Sequence, residues 1–204
     1  MKNTLSILVA LISIVTTPHV RGASSETHSV TSQIRNQSTF YGIVLASDVN
    51  VVLRQGNEQL VKVEAIKSDF PFINTKVING SLVVSVRNNH KLNGPVNVYV
   101  TMNDINLIEV IGNGKVNSAE MINADVLTLK LKGNGSINVD VRALSVGMNL
   151  SGCGSINISG NAANSLIKIY GQGHVFTKNF NAFTTMEMID DTPVDCTAMV
   201  NYIN

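Results

Sequence analysis

Between Ile108 and Met188 the apolar residues recur in columns. Ile108 and Val110 precede Gly112-Asn113-Gly114, and Val116 follows it. The same order returns three times. Leu129, Leu131 and Ile137 flank Gly133-Asn134-Gly135; Met148, Leu150 and Ile156 flank Gly152-Cys153-Gly154; Ile167, Ile169 and Val175 flank Gly171-Gln172-Gly173. The first glycines are 21, 19 and 19 residues apart, and a further step of 19 lands on Asp190-Asp191-Thr192, between Met186, Met188 and Val194. Thr128, Lys130, Asn149, Lys168 and Glu187 alternate with the apolar positions and are expected to face solvent. Period two is the signature of a strand with one buried face, and the spacings of three and four that a helix needs are absent. A repeat near 20 residues therefore predicts a stack of similar β-coils, each stabilised by its neighbours.

All eight glycines, Gly112, Gly114, Gly133, Gly135, Gly152, Gly154, Gly171 and Gly173, share the inward parity. They are expected to stack at one corner, about 4.8 Å apart per coil, where the backbone turns with no room for a side chain. The residues between them, Asn113, Asn134, Cys153, Gln172 and Asp191, then form an outward ladder. Ordinary hairpin turns in an antiparallel sandwich are the alternative, but hairpins alone would not hold the same apolar columns in register.

The first half is β-rich and less regular. Tyr41, Ile43 and Leu45, then Val49, Val51 and Leu53, then Val61, Val63 and Ala65 alternate as strands do. Asn79-Gly80 between Ile73-Thr75-Val77 and Leu82-Val84-Val86 predicts a hairpin or a tight corner. Residues 39–106 are read as an atypical first stretch of the same stack, with a separate small β unit as the alternative. Residues 23–38 are polar and aperiodic and are expected to be a flexible leader. Thr192 to Asn204 loses the glycines, adds Pro193, and reads as a last coil modified to end the stack.

Lys2 followed by the apolar run Leu5 to Val15 predicts a signal peptide over residues 1–22, too short to span a bilayer. The mature chain is expected to be exported, to the periplasm, the outer surface or the medium, with no transmembrane segment. In 204 residues the net charge is +1 with no tryptophan, which argues against a nucleic-acid groove. Export permits disulfides. Parity, however, places Cys153 outward and Cys196 inward, in line with Val139 and Ile158 and two coils away. That exceeds bridging distance, so no disulfide is expected.

Gly135-Ser136-Ile137-Asn138, Gly154-Ser155-Ile156-Asn157, the opening Phe40-Tyr41-Gly42-Ile43 and the turn at Asn79 to Leu82 carry a family resemblance. In serial order they make the chain, from about Phe40 onward, similar to the bacterial family "Putative auto-transporter adhesin, head GIN domain". The resemblance implies an all-β fold, a right-handed single-stranded parallel β-helix on exported proteins, and says little of activity. The chain departs from the pattern by losing the glycines at Asp190 to Thr192 and by carrying Cys153.

No chemistry competes strongly with that reading. His19, His28, His90 and His174 lack metal-ligand spacing. Asp190, Asp191 and Asp195 form the one acidic cluster and read as a solvated cap rather than a cation site. Glu109, Asp125, Asp140 and Glu187 fall in different coils, not paired across a cleft as glycoside hydrolysis needs. The expected function is an exported binding or structural module, adhesin-like, presenting polar ladders to a glycan or protein partner. It needs no cofactor, no metal and no catalytic residues. A scaffold without ligand recognition is the main rival, and a carbohydrate-active enzyme a distant one.

Overall fold

The computed structural model describes residues 29–87, 90–194 and 196. The expected signal peptide, His19, His28 and Asp195 lie outside them. The described chain is almost entirely β, curled into a β-solenoid of about four turns with about 20 residues per turn.

Four long strands make the regular part: β10 (Ile122–Gly133), β11 (Ser136–Gly152), β12 (Ser155–Tyr170) and β13 (His174–Asp190). Each pairs in parallel with the next. Every strand runs along both walls of the solenoid and bends midway, near Asp125, Leu144, Ala163 and Phe183. Those positions have no register partner, and inward parity skips there: Val141 and Val146 are both buried, an odd separation. The second corner carries no glycine, and the sequence does not flag it. The inward columns Val110–Leu131–Leu150–Ile169 and Val116–Ile137–Ile156–Val175 are formed by direct register partners. Leu129, Leu131, Ile137, Met148, Leu150 and Ile156 are almost wholly buried.

The first half lies in the same sheet. One wall continues through β8 (Leu107–Ile111), β2 (Gly42–Ala46), β6 (Ser81–Val86) and β5 (Ile73–Ile78). The other continues through β9 (Lys115–Ser118), β3 (Asn50–Gln55), β7 (Asn97–Met102), β4 (Leu60–Ile66) and β1 (Val30–Ile34). Chain order and stacking order differ: β6 and β7 lie beyond β2 and β3. The outermost pairings β5–β6, β4–β7 and β1–β4 are antiparallel. The Asn79-Gly80 signal is a true hairpin, both residues at positive φ (50° and 74°), as a type I′ turn requires.

Three expectations are corrected. First, residues 30–34, assigned to the flexible leader, form strand β1. All its side chains are exposed, so it is held by backbone pairing and leaves no apolar pattern. Second, the last coil is slipped by one residue. A bulge in β13 opposite Asn157–Ser159 shifts the register, so Ile167, Lys168 and Ile169 meet Glu187, Met188 and Ile189. The expected inward Met186 and Met188 therefore take outward positions, and Glu187 an inward one. Phe180 supplies the reason. Its register partner is Gly160, which sits over Val141 and Ile122 in one inward column. Gly160, at a φ of 98°, has no room for a side chain, because a Cβ there would collide with the Val141 carbonyl oxygen; the bulge turns the neighbouring Phe180 inward, where it is buried. Third, Cys153 and Cys196 are joined, as the corner geometry explains.

Candidate binding surface

The Gly-x-Gly corner is built by two different demands. Gly112, Gly133, Gly152 and Gly171 have φ between 103° and 121°, a region that side chains rarely enter. The second glycines are held by space: a Cβ on Gly135 would collide with the Gly114 carbonyl oxygen, and one on Gly154 with that of Gly135. Backbone amides lock the stack, Gly135 donating to the Gly112 carbonyl at 2.8 Å and Gly154 to that of Gly133 at 2.9 Å.

The expected outward ladder along this corner is already engaged by the protein itself. The Asp48 carboxylate accepts from the Asn113 backbone at 3.1 Å and from its side chain at 3.0 Å. Beyond β13 the chain leaves the wall and folds back across the corner. Val194 lies against Gly171, the Asn134 side chain donates to the Cys196 carbonyl at 2.8 Å, and Cys196 is bonded to Cys153 with Cα atoms 5.7 Å apart. The Cys196 sulfur also lies 3.8 Å from the Gln172 side-chain oxygen. The expectation of no disulfide assumed that the tail keeps the coil rhythm and holds Cys196 inward. Strand β13 instead ends at Asp190, so six residues suffice to bring Cys196 back to Cys153. Both the N–H and the hydroxyl of Thr192 donate to Asp190, and these bonds hold the Asp190 carboxyl below its usual range. Asp191 is exposed at the start of this strap. A cleft of about 630 Å³ lies further along the corner, lined by Ser47, Asp48, Asn50, His90, Lys91 and Asn113 among others.

A second ladder runs on the outer wall, away from the described part of the strap. Asn117, Asn138 and Asn157 are successive register partners, and Phe176 follows them. Asn157 donates to Asn138 at 2.6 Å and Asn138 to Asn117 at 2.8 Å. Phe176 is 52 % exposed. His174, two residues earlier on the same outer face, stacks with it, ring centroids 5.9 Å apart and 16° from coplanar. A shallow trough of about 360 Å³ opens beside them, bordered also by Asp140, Ser159 and Lys178. The signal for this column was in the sequence: each of its members lies three residues after a second corner glycine.

Charged groups elsewhere are dispersed. Lys62 pairs with Glu64 at 2.7 Å and lies over the Tyr99 ring at 4.4 Å. The hydrogen bond from Lys62 pulls the Glu64 pKa down, while the one to Glu64 pushes Tyr99 up. Glu109 is the register partner of Lys130, and Asp140 of Ser159. His90 stacks on Phe72 with centroids 3.5 Å apart. Among the described residues no three His, Cys, Asp or Glu side chains converge as a metal site. Nor is any helix among them long and apolar enough to cross a membrane.

The family described as "Putative auto-transporter adhesin, head GIN domain" matches residues 39–186. Several crystal structures share the fold, three of them as follows. A putative adhesin from Bacteroides fragilis superposes with a TM-score of 0.74 at 15 % identity, covering 81 % of this chain and 78 % of that one. A putative lipid binding protein from Parabacteroides distasonis gives 0.65 at 12 % identity, covering 80 % and 79 %. A putative adhesin from the same species gives 0.63 at 17 % identity, covering 80 % and 79 %. No curated protein matches the chain.

Proposed function

The chain belongs to the head GIN domain family, and on that premise we propose that it is an exported, non-enzymatic binding module of the adhesin type. It acts outside the cytoplasm and recognises a glycan or protein partner at a cell surface. The observation that carries this reading is the parallel register of β10 to β12, held along both walls and continued by β13 as far as Phe176. Such a wall repeats its outward side chains at a fixed interval of about 4.8 Å. It is a preorganised surface, and little conformational entropy is lost when a partner docks on it. The adhesin descriptions of the family and of two of the structural neighbours support the same class.

Two measurements test the reading. Expressed in a bacterium with its own leader, the protein should be recovered outside the cytoplasm with its N-terminus near Gly22 or Ala23. A cytosolic product with Met1 intact would refute export. Fluorescently labelled mature protein should be retained on intact bacterial or host cells and displaced by unlabelled protein. Absence of retention on every surface would replace recognition by the scaffold role.

A further inference from the structure

We propose that the outer wall across β9, β11, β12 and β13 binds an extended, neutral β-linked glycan. The chain lies across the strands, along Asn117, Asn138 and Asn157, with a terminal sugar stacked on Phe176. The proposal rests on the binding-module reading and names its site and ligand class.

Four observations carry it. The first is the state of the amides. Each hydrogen bond within the ladder uses one N–H of the donor and one lone pair of the acceptor. A side-chain amide has two of each to give. The ladder thus fixes the orientation of the amides and leaves hydrogen-bonding capacity at every rung. A row of oriented groups of this kind suits ring hydroxyls, which both donate and accept.

The second is the aromatic end. Phe176 follows Asn157 in the same column and is half exposed, and His174 stacks beside it with its ring nearly parallel. An exposed phenylalanine on a polar wall is costly to hydrate. The apolar C–H face of a pyranose covers such a ring while its equatorial hydroxyls remain at the edge, within reach of polar neighbours.

The third is the spacing. Successive rungs lie one strand apart, about 4.8 Å. The rise per residue of an extended β-linked hexopyranose chain is close to this, so consecutive sugars meet consecutive rungs. A helical α-linked chain curves away from a straight ladder. The fourth is charge. Asp140 and Lys178 border the trough with opposite signs, so the site has no single-sign field to select an acidic or basic polymer. A neutral chain is the class that fits.

The test is calorimetric titration of the mature protein with cellohexaose and with chitohexaose, and with maltohexaose as the linkage control. At least one β-linked hexasaccharide should bind, and more tightly than its trisaccharide. Maltohexaose should be weaker by roughly tenfold or more. Phe176→Ala should weaken binding by roughly tenfold while leaving the unfolding midpoint in place, and Asn157→Ala should weaken it less. Phe183→Ala, at the second corner, should change nothing. Binding that survives Phe176→Ala, or equal binding of maltohexaose, would overturn the site. If neither β-linked probe binds while cell-surface retention persists in both the native protein and Phe176→Ala, the glycan site falls and a protein partner takes its place. Loss of retention in the native protein would remove the binding-module reading itself.

Discussion

The two ends of the solenoid are finished in different ways. At the first end the chain reverses. The strands β4 and β5 run antiparallel to the coil they cover, and β1 adds a further strand on one wall. Phe70 and Ile73 plug the interior, and Asp69, wholly buried, accepts hydrogen bonds from the backbone and side chain of Asn93 at 2.9 and 2.6 Å. At the other end β13 simply continues the parallel stack. From Phe183 to Asp190 every residue is exposed, including Phe183 at 95 % and Met186 at 61 %. The difference teaches what enforces register. A coil with neighbours on both sides cannot slip, because a one-residue shift would turn its whole apolar set outward. Among the described residues the last coil has a neighbour on one side only, and there a single phenylalanine, Phe180, is enough to set a bulge.

The comparison is sharpest in the middle of the stack, where the largest effect is expected. Leu150 is wholly buried between Leu131 and Ile169, so Leu150→Ala should cost about 2–5 kcal/mol. Its outward neighbour Asn149 lies between Lys130 and Lys168, and Asn149→Ala should stay within about 0.5 kcal/mol. Denaturant midpoints measure both, and a more damaging Asn149→Ala would reverse the parity assignment.

The strap comes next. Its disulfide closes a separation of 43 residues, which constrains the unfolded chain. Cys153→Ser with Cys196→Ser should lower stability by about 2–4 kcal/mol. An unchanged thermal midpoint under reducing conditions would show that the bond adds nothing to the open end. Phe180 sets the third contrast. Phe180→Ala should cost roughly 2 kcal/mol, below the ~3–5 of a fully enclosed phenylalanine, because the last coil is covered on one side. Phe183→Ala should cost almost nothing by the same measurement.

The smallest effect on stability concerns Glu187, a charge at an inward position on an open edge. Such charges discourage strand edges from pairing between molecules. Glu187→Leu should leave the unfolding midpoint within the equivalent of about 0.5 kcal/mol yet produce concentration-dependent association in sedimentation velocity. A variant that stays monomeric would deny Glu187 that role.

Much of this was legible in the sequence, and the part that was not has identifiable causes. The columns around the corner glycines were readable because each coil repeats them and burial on one face imposes period two. The hairpin at Asn79-Gly80 was readable because both residues had to adopt positive φ. The slip of β13 was hidden because Met186 and Met188 continue the apolar rhythm; what overrides them is Phe180, which the bulge turns inward and buries. Strand β1 left no apolar trace, since it is held by backbone hydrogen bonds alone. The disulfide was missed because the tail was read in the coil's rhythm, although losing the glycines at Asp190 to Thr192 marks where that rhythm stops. On the binding surface, the corner ladder is marked in the sequence by its glycines and is spanned by the strap. The asparagine column three residues further on was equally periodic but looked like part of a family motif.

Hydrogen exchange resolved along the chain tests the central claim, that among the described residues the stack is closed at its first end and open at its last. In the native protein, amides of β11 should be the most protected and those of β4 and β7 comparably so. Protection should fall through β12 to its lowest in the second half of β13, beyond Phe183. Exchange in β13 as slow as in β11, or exchange fastest in β4 and β7, would contradict the account.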